Sequence, residues 1–261
     1  MGQRKTAAPA APIASDLHRE AAADSRPGPS TPQQPAAAKA QPRRESVASA
    51  PAPSPVREAA QLQARELARR AAACPDLASL ARAVAECTAC SLCQTRTQTV
   101  FADGSGRVRV LFVGEAPGEN EDLQGVPFVG RAGALLTDII TKGMGLARQD
   151  VTIANVLKCR PPNNRDPSET EKLLCTSWLD RQIELVDPEV IIPLGRHAAC
   201  HVLGSEASMG ALRGRVHERA GRKIVPTYHP AYLLRSPGMK SKCWEDIQLA
   251  MRELGLPTPR K

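Results

Sequence analysis

Apolar residues recur along this chain in two periods, preceded by a stretch with none. Through residue 55 Ala, Pro, Ser, Gln and Arg follow one another without pattern, ten prolines occur, and the first aromatic residue of the chain is Phe101. Such a segment cannot bury enough apolar surface to offset the entropy of ordering it, so a disordered tail is expected. From Val56 to Ala73 the run VREAAQLQARELARRAAA is rich in helix formers but offers only Leu62 and Leu67 as large apolar positions, which predicts a marginal, largely exposed helix. Asp76 then stands where it can cap a second helix through LASLARAVAEC, whose Leu77, Leu80 and Val84 keep helical spacing and which delivers Cys87.

Beyond Cys87 the pattern shortens. VRVLFVG at 108–114, VTIANVL at 151–157, EVIIPLG at 189–195 and KIVPTY at 223–228 are β-rich runs, with helical stretches at about 131–143, 168–186 and 195–203 between them. Strands alternating with helices indicate an α/β domain with a largely parallel sheet, in which chemistry gathers at the carboxyl ends of the strands. The division expected is a tail over residues 1–75 and a folded domain over 76–261.

Charge refines this division. The chain carries 35 basic and 27 acidic residues, a net +8. Residues 1–75 hold 11 of the basic and 6 of the acidic ones, so +5 belongs to the tail and +3 to the rest. A nucleic-acid partner fits, but its recognition has to come from specific sites, with the tail as a salt-sensitive helper or a contact for other replication or repair proteins. The sequence contains neither an apolar run of membrane-spanning length nor a cleavable leader, so a protein inside the cell, away from membranes, is expected. That compartment argues against a disulfide framework for the eight cysteines.

Cys87 and Cys90 form a C-x2-C, followed by Cys159 and Cys175. Thiolates at such spacing suit a metal, and the distant pair would clip the amino-terminal helix onto the sheet. Spacing alone leaves Cys93 an open fifth candidate and leaves zinc and an iron-sulfur cluster both open. Cys74, Cys200 and Cys243 read as ordinary buried cysteines. The glycine-rich stretch GEAPGENEDLQGVPFVGRAGALL at 114–136 follows a strand, yet it has neither the Gly-Lys-Ser/Thr end of a phosphate-binding loop nor a dinucleotide G-x-G-x-x-G. A zinc deaminase is set aside as well, because the only His-x-Glu, beginning at His18, lies in the tail.

Five blocks in order, CTAC, GEAPGENEDLQGVPFVGRAG, NVLKCRPPNNRDP, Cys175 with LDRQIELVDPEVIIPLG, and HPAYLLR, carry a more specific resemblance over about residues 77–255. The chain resembles family 4 of the uracil-DNA glycosylases, the iron-sulfur branch of that superfamily. The resemblance implies a three-layer α/β/α fold with a four-stranded parallel sheet. It also implies a [4Fe-4S] cluster on Cys87, Cys90, Cys159 and Cys175, with Cys93 a bystander, and a monomer acting on uracil in double- or single-stranded DNA.

Such an enzyme flips the nucleotide out of the helix before cutting the bond between base and sugar. The resemblance places Phe128 under the base, with Gly114 and Ala116 on the turn beside it. Asn155 can donate to uracil O4 and accept from N3–H, a polarity that cytosine reverses. His229 would bond O2 and stabilise charge on the departing base. The acidic loop offers Glu115, Glu119, Glu121 and Asp122 to the cationic sugar or to water. Glu115 and Glu121 are the preferred pair, since Ala116 stands where a better-known branch has its aspartate. Tyr232, Leu234 and Arg235 follow the histidine on a loop that enters the minor groove in similar enzymes. Asn163 is a further candidate for contact with DNA or base, and Arg213, Arg215, Lys240 and Lys242 for phosphates. The competing expectation is a non-enzymatic four-cysteine nucleic-acid-binding or polymerase-associated module, in which GEAPG and HPAY are only turns.

Overall fold

A computed structural model describes residues 55–258 except Ser105 and Arg107. The expected tail, residues 1–54, lies outside the described residues. The sheet has six strands, β1 Ala102–Asp103, β2 Val110–Gly114, β3 Thr152–Asn155, β4 Val190–Pro193, β5 His217–Arg219 and β6 Arg222–Ile224, in the order β1-β3-β2-β4-β6-β5. The four central strands are parallel and are the four read from the sequence. The two additions, β1 and β5, are short antiparallel edges of two and three residues, too brief to leave a sequence period.

Side chains alternate across the strands, so each apolar run supplies both faces of the sheet. Val110 and Phe112 enter one core with Leu136, Ile153, Ile192, Leu233, Ile247 and Met251, beneath helices α4 Arg131–Asp138, α8 Pro230–Arg235 and α9 Lys240–Glu253. Leu111 and Val113 enter the opposite core with Leu179, Ile191, Ala198 and Val202, beneath α5 Glu169–Val186 and α6 Arg196–Leu203. Three layers result, α/β/α. Runs buried on both faces are continuous rather than alternating, as in parallel sheets generally.

At the amino-terminal end α1 Pro55–Ala72 and α2 Leu77–Ala85 pack on α5. Asp76 caps α2, its side chain accepting the Ser79 N–H at 2.7 Å. The helix expected over 56–73 is present and largely exposed, but it carries one buried stripe. Ala60, Leu67 and Ala71 are buried, with Ala64 partly so, and form a seam along α5 that joins Leu80, Val84 and Trp178. Three of the four seam positions are alanine, so a search for large apolar residues passes over it. Alanines let the two helix axes approach, and α1 belongs to the folded body rather than to the tail.

Leu67→Ala is therefore expected to destabilise the full chain by about 2 kcal/mol or more, the range for truncating a buried leucine. Leu62→Ala, at a side chain 65% exposed, should stay within about 0.5 kcal/mol. Urea unfolding of both variants measures the difference.

Candidate functional site

A cleft of about 460 Å³ opens where β2 and β3 end, a volume in the range of small-molecule sites. Glu115, Ala116, Phe128, Asn155, His229 and Arg235 line it. The parallel register sets Gly114 beside Asn155, and the ladder continues past the strand with the Val156 N–H donating to Gly114 O at 2.9 Å. A side chain on Gly114 would place its Cβ 2.3 Å from Asn155 Oδ1 and 2.7 Å from the Phe128 ring, so only glycine leaves room for both. The Asn155 amide is buried, and its Oδ1 has no hydrogen-bond partner among the described residues. An orphaned buried acceptor is costly unless something else binds it.

Phe128 has φ +56°, a region that a bulky residue enters only under constraint. Three contacts hold it there. Arg148 Nη2 donates to the carbonyls of Pro127 at 2.9 Å and Phe128 at 3.2 Å. Gly133 on α4 lies so close that a Cβ would come within 1.8 Å of the Phe128 carbonyl oxygen. Glu121, on α3 Glu119–Gln124, accepts the N–H groups of Val129, Gly130 and Gly118 at 3.0, 3.1 and 3.1 Å. Glu121 thus lines the cleft while both its oxygens are engaged with main chain, which makes it a clamp on the PFVG turn.

The other acidic candidates separate in the same way. Asp122 is buried and accepts the Thr97 N–H with both oxygens. Glu119 points outward and faces Arg160 at 3.8 Å. Of the four acidic candidates, Glu115 alone has a carboxylate in the cleft that no main-chain N–H engages among the described residues. His197 Nε2 lies 3.9 Å from it, and Asp166 completes a group whose ligand atoms all fall within 4.8 Å of one another. Burial raises the pKa of Glu115, His197 opposes that, and Asp166 adds to it.

His229 precedes α8 and caps it, its Nδ1 accepting the Ala231 N–H at 3.1 Å. That bond fixes the neutral tautomer with its proton on Nε2. Burial brings the pKa down to about 4, aided by the Arg235 cation and opposed by Glu121. Two residues earlier, the buried Thr227 donates through Oγ1 to Asp246 Oδ2 at 2.8 Å, and Arg213 bonds both oxygens of Asp246 at 2.9 Å. Arg213 is therefore committed inward, its side chain only 13% exposed, and is not free for phosphate. No local pattern announces this Arg-Asp-Thr network, because its members lie far apart in the chain.

The loop after His229 divides between core and solvent. Leu233 is buried, Leu234 is exposed, and Arg235 is exposed without an ion-pair partner among the described residues. Tyr232 packs against Tyr228, with ring centroids 5.2 Å apart, and against the core, so it forms a wall of the cleft rather than a free wedge. Asn163 does not reach the cleft. Its neighbour Asn164 does, with Oδ1 accepting from Arg160 Nε at 2.9 Å. Both asparagines have positive φ in a tight turn after Pro161, which reverses the chain between them.

Behind the cleft, Cys87, Cys90, Cys93, Cys159 and Cys175 line one cavity with Arg96, Lys158 and Trp178. Cys74 and Cys243 are buried elsewhere, and Cys200 is half-buried. Among the described residues no three of the cysteine sulfurs lie mutually within 4.8 Å. Arg96 Nη1 donates to Cys159 Sγ at 3.1 Å and the Lys158 N–H to Cys175 Sγ at 3.4 Å. The indole N–H of Trp178 is buried without a partner. Lys158, absent from the sequence-based candidates, is itself buried, and its Nζ donates to Asn155 O at 2.7 Å and to Gln182 Oε1. Its place in the apolar run NVLKC was the available signal.

The fold and the cleft are those of a base-excising enzyme class: the family model for the uracil DNA glycosylase superfamily matches residues 101–248. The chain is 45% identical to the type-4 uracil-DNA glycosylase of Saccharolobus solfataricus, over 65% of this chain and 82% of the relative. It is 46% identical to that of Thermotoga maritima, over 64% and 88%, and 42% identical to that of Archaeoglobus fulgidus, over 66% and 90%. This chain belongs to the type-4 uracil-DNA glycosylases.

Two outcomes follow from the geometry. Nitrogen NMR of His229 should report the Nε2–H tautomer and a titration near pH 4, not near the ordinary 6.5. Because the folded-state value lies below the unfolded one, this residue's contribution to stability is complete above about pH 6.5 and is lost as pH falls through about 4. Gly114→Ala should cost about 1 to 3 kcal/mol in urea unfolding, the usual penalty for overpacking.

Proposed function

We propose that this protein is a DNA repair glycosylase that hydrolyses the N-glycosidic bond of uracil in DNA and leaves an abasic site. The observation that carries the reading is the buried Asn155 amide, whose orphaned Oδ1 shares one cleft with the His229 ring. Uracil supplies what that pair lacks. Its N3–H satisfies Oδ1, its O4 accepts from the amide nitrogen, and its O2 accepts from His229 Nε2–H. Cytosine presents the opposite polarity at N3 and N4 and would leave the amide unsatisfied, at about 1 to 3 kcal/mol. If GEAPG and HPAY were only turns, nothing would explain why a polar amide is buried without a partner.

The flipped base lies against Phe128, a stacking contact of about 1 to 3 kcal/mol. As the bond to the sugar breaks, negative charge builds on the base and positive charge on the deoxyribose. His229 donates to the first, held in the correct tautomer by the Ala231 N–H before reaction begins. Glu115 offers its carboxylate to the second or to the attacking water, while Glu121 acts as a positioning residue through the PFVG turn. No lysine lines the cleft among the described residues, which supports attack by water over a covalent lyase route. Leu234 is the apolar wedge into the duplex and Arg235 a phosphate contact.

The donor set behind the cleft favours a [4Fe-4S] cluster on Cys87, Cys90, Cys159 and Cys175. A tetrahedral zinc with bonds of about 2.3 Å would draw its sulfurs to about 3.8 Å of one another. The wider spacing of these sulfurs fits a larger centre, and the donors on Cys159 and Cys175, with the unpartnered Trp178 N–H, suit a site of gathered negative charge. When bound, the cluster would supply a cross-link between the α2 end and the segment that follows Asn155. DNA is the partner, and one chain contains the whole cleft.

Single-turnover release of uracil from a duplex with one U·G pair tests the reading. His229→Ala should slow release by about 10²- to 10³-fold, as for loss of one donor to a developing oxyanion, and Asn155→Ala by about 5- to 150-fold. Wild-type activity should fall on the acid side above the ordinary Glu115 value of 4.5, because the raised pKa means that the carboxylate is lost sooner as pH drops. Glu115→Gln should be slower and lack that limb. Full activity in both His229→Ala and Asn155→Ala would exclude the proposed roles.

A further inference from the structure

Lys158 buries an ammonium with no carboxylate beside it. The residue is 1% exposed, and its Nζ bonds only a carbonyl, Asn155 O, and an amide oxygen, Gln182 Oε1. Asp180 acts on it from beyond ion-pair distance, and the Phe101 ring lies 5.9 Å away. Buried cations persist where negative charge compensates them. A source lies in the sulfur cavity, which Lys158 itself lines, with its own N–H on Cys175 Sγ and Cys159 next in the chain. Free thiols would supply no such charge at neutral pH. As cluster ligands they are thiolates and supply it.

We propose that Lys158 is a positioning residue: its ammonium is the counter-ion of the four-sulfur site, and its bond to the Asn155 main chain ties that site to the amide that reads the base. This rests on the cluster and on the Asn155 role proposed above. Loss of the cluster would then leave an uncompensated charge directly behind the base-reading residue, so the sulfur site bears on uracil recognition without touching the base.

The test uses the full chain as purified with iron, with Lys158→Met and Gln182→Glu. The second variant keeps the ammonium and the side-chain size but puts a carboxylate against it, cancelling its charge. Both should lower the midpoint potential of the cluster, measured without DNA, because a nearby positive charge favours the reduced form. Both should weaken iron retention against a chelator by about 10- to 100-fold, the usual cost of losing a group that supports metal ligands. Lys158→Met should also raise KM for a U·G duplex about tenfold with less effect on kcat. It should add no further loss to Asn155→Ala, while the potential shift persists in the double variant.

Unchanged potential and iron retention in both variants would overturn the counter-ion. A Lys158→Met loss that adds in full to that of Asn155→Ala would overturn the link to the base. Should Lys158→Met fail to fold, Gln182→Glu decides the counter-ion alone. Full activity in Asn155→Ala faults the cleft reading and, with it, the link, but leaves the potential to judge the lysine. A folded wild type without iron sinks both the cluster and its counter-ion.

Discussion

Strands β2 and β3 end in register with Gly114 against Asn155, and the space left by the missing side chain lets the amide and the Phe128 ring close on the same point. The rest of the cleft depends on that close approach. For the ring to reach it, the PFVG turn adopts a positive φ at Phe128, a conformation costing of order 1 to 3 kcal/mol that surrounding contacts must hold. Arg148, Gly133 and Glu121 provide them from three separate elements. A glycine at the strand end, a strained aromatic and a carboxylate spent on main-chain N–H groups are thus parts of one arrangement.

The two ends of the cleft are prepared for opposite charges. At one end, burial and the Arg235 cation keep His229 neutral, because a second cation beside Arg235 in a poorly hydrated place would be costly. Neutrality does not cost it its donor, since the Ala231 N–H occupies Nδ1 and leaves the proton on Nε2. At the other end Glu115 faces His197 and Asp166 instead of backbone donors, so its carboxylate keeps free lone pairs. A bond that breaks to give an anionic base and a cationic sugar is matched by this polarity, with little reorganisation needed at the moment of reaction.

Much of this was legible in the sequence because it rests on local patterns. The four parallel strands are continuous apolar runs, Asp76 caps its helix, and GEAPG and HPAY mark strand ends. What could not be read depends on packing between distant residues. The α1 seam is hidden because alanine buries a face without announcing it. Asn163 and Asn164 are interchangeable in sequence, and only the turn after Pro161 decides which one reaches the cleft. Glu121 and Glu115 are equally acidic in the run GEAPGENED, yet one is saturated by main-chain N–H groups and the other is not. Arg213 reads as a surface cation until Asp246 is found beneath it.

Two buried polar networks stand behind the cleft, and each ends on the main chain close to a residue that lines it. Arg213, Asp246 and Thr227 fix the strand end two residues before His229, while Lys158 and Gln182 fix the carbonyl of Asn155. Such networks specify one geometry when every member is satisfied. Precision matters on the proposed reading, in which the polarity of the Asn155 amide separates uracil from cytosine at N3 and position 4. The front of the cleft is built differently. The region beyond residue 75 carries only +3 of the net charge, and Arg213 turns inward, so general attraction to phosphate is modest there. On the proposed reading, discrimination therefore rests on the rear of the site, where the two networks hold the main chain, and the front has only to admit a base that has left its helix.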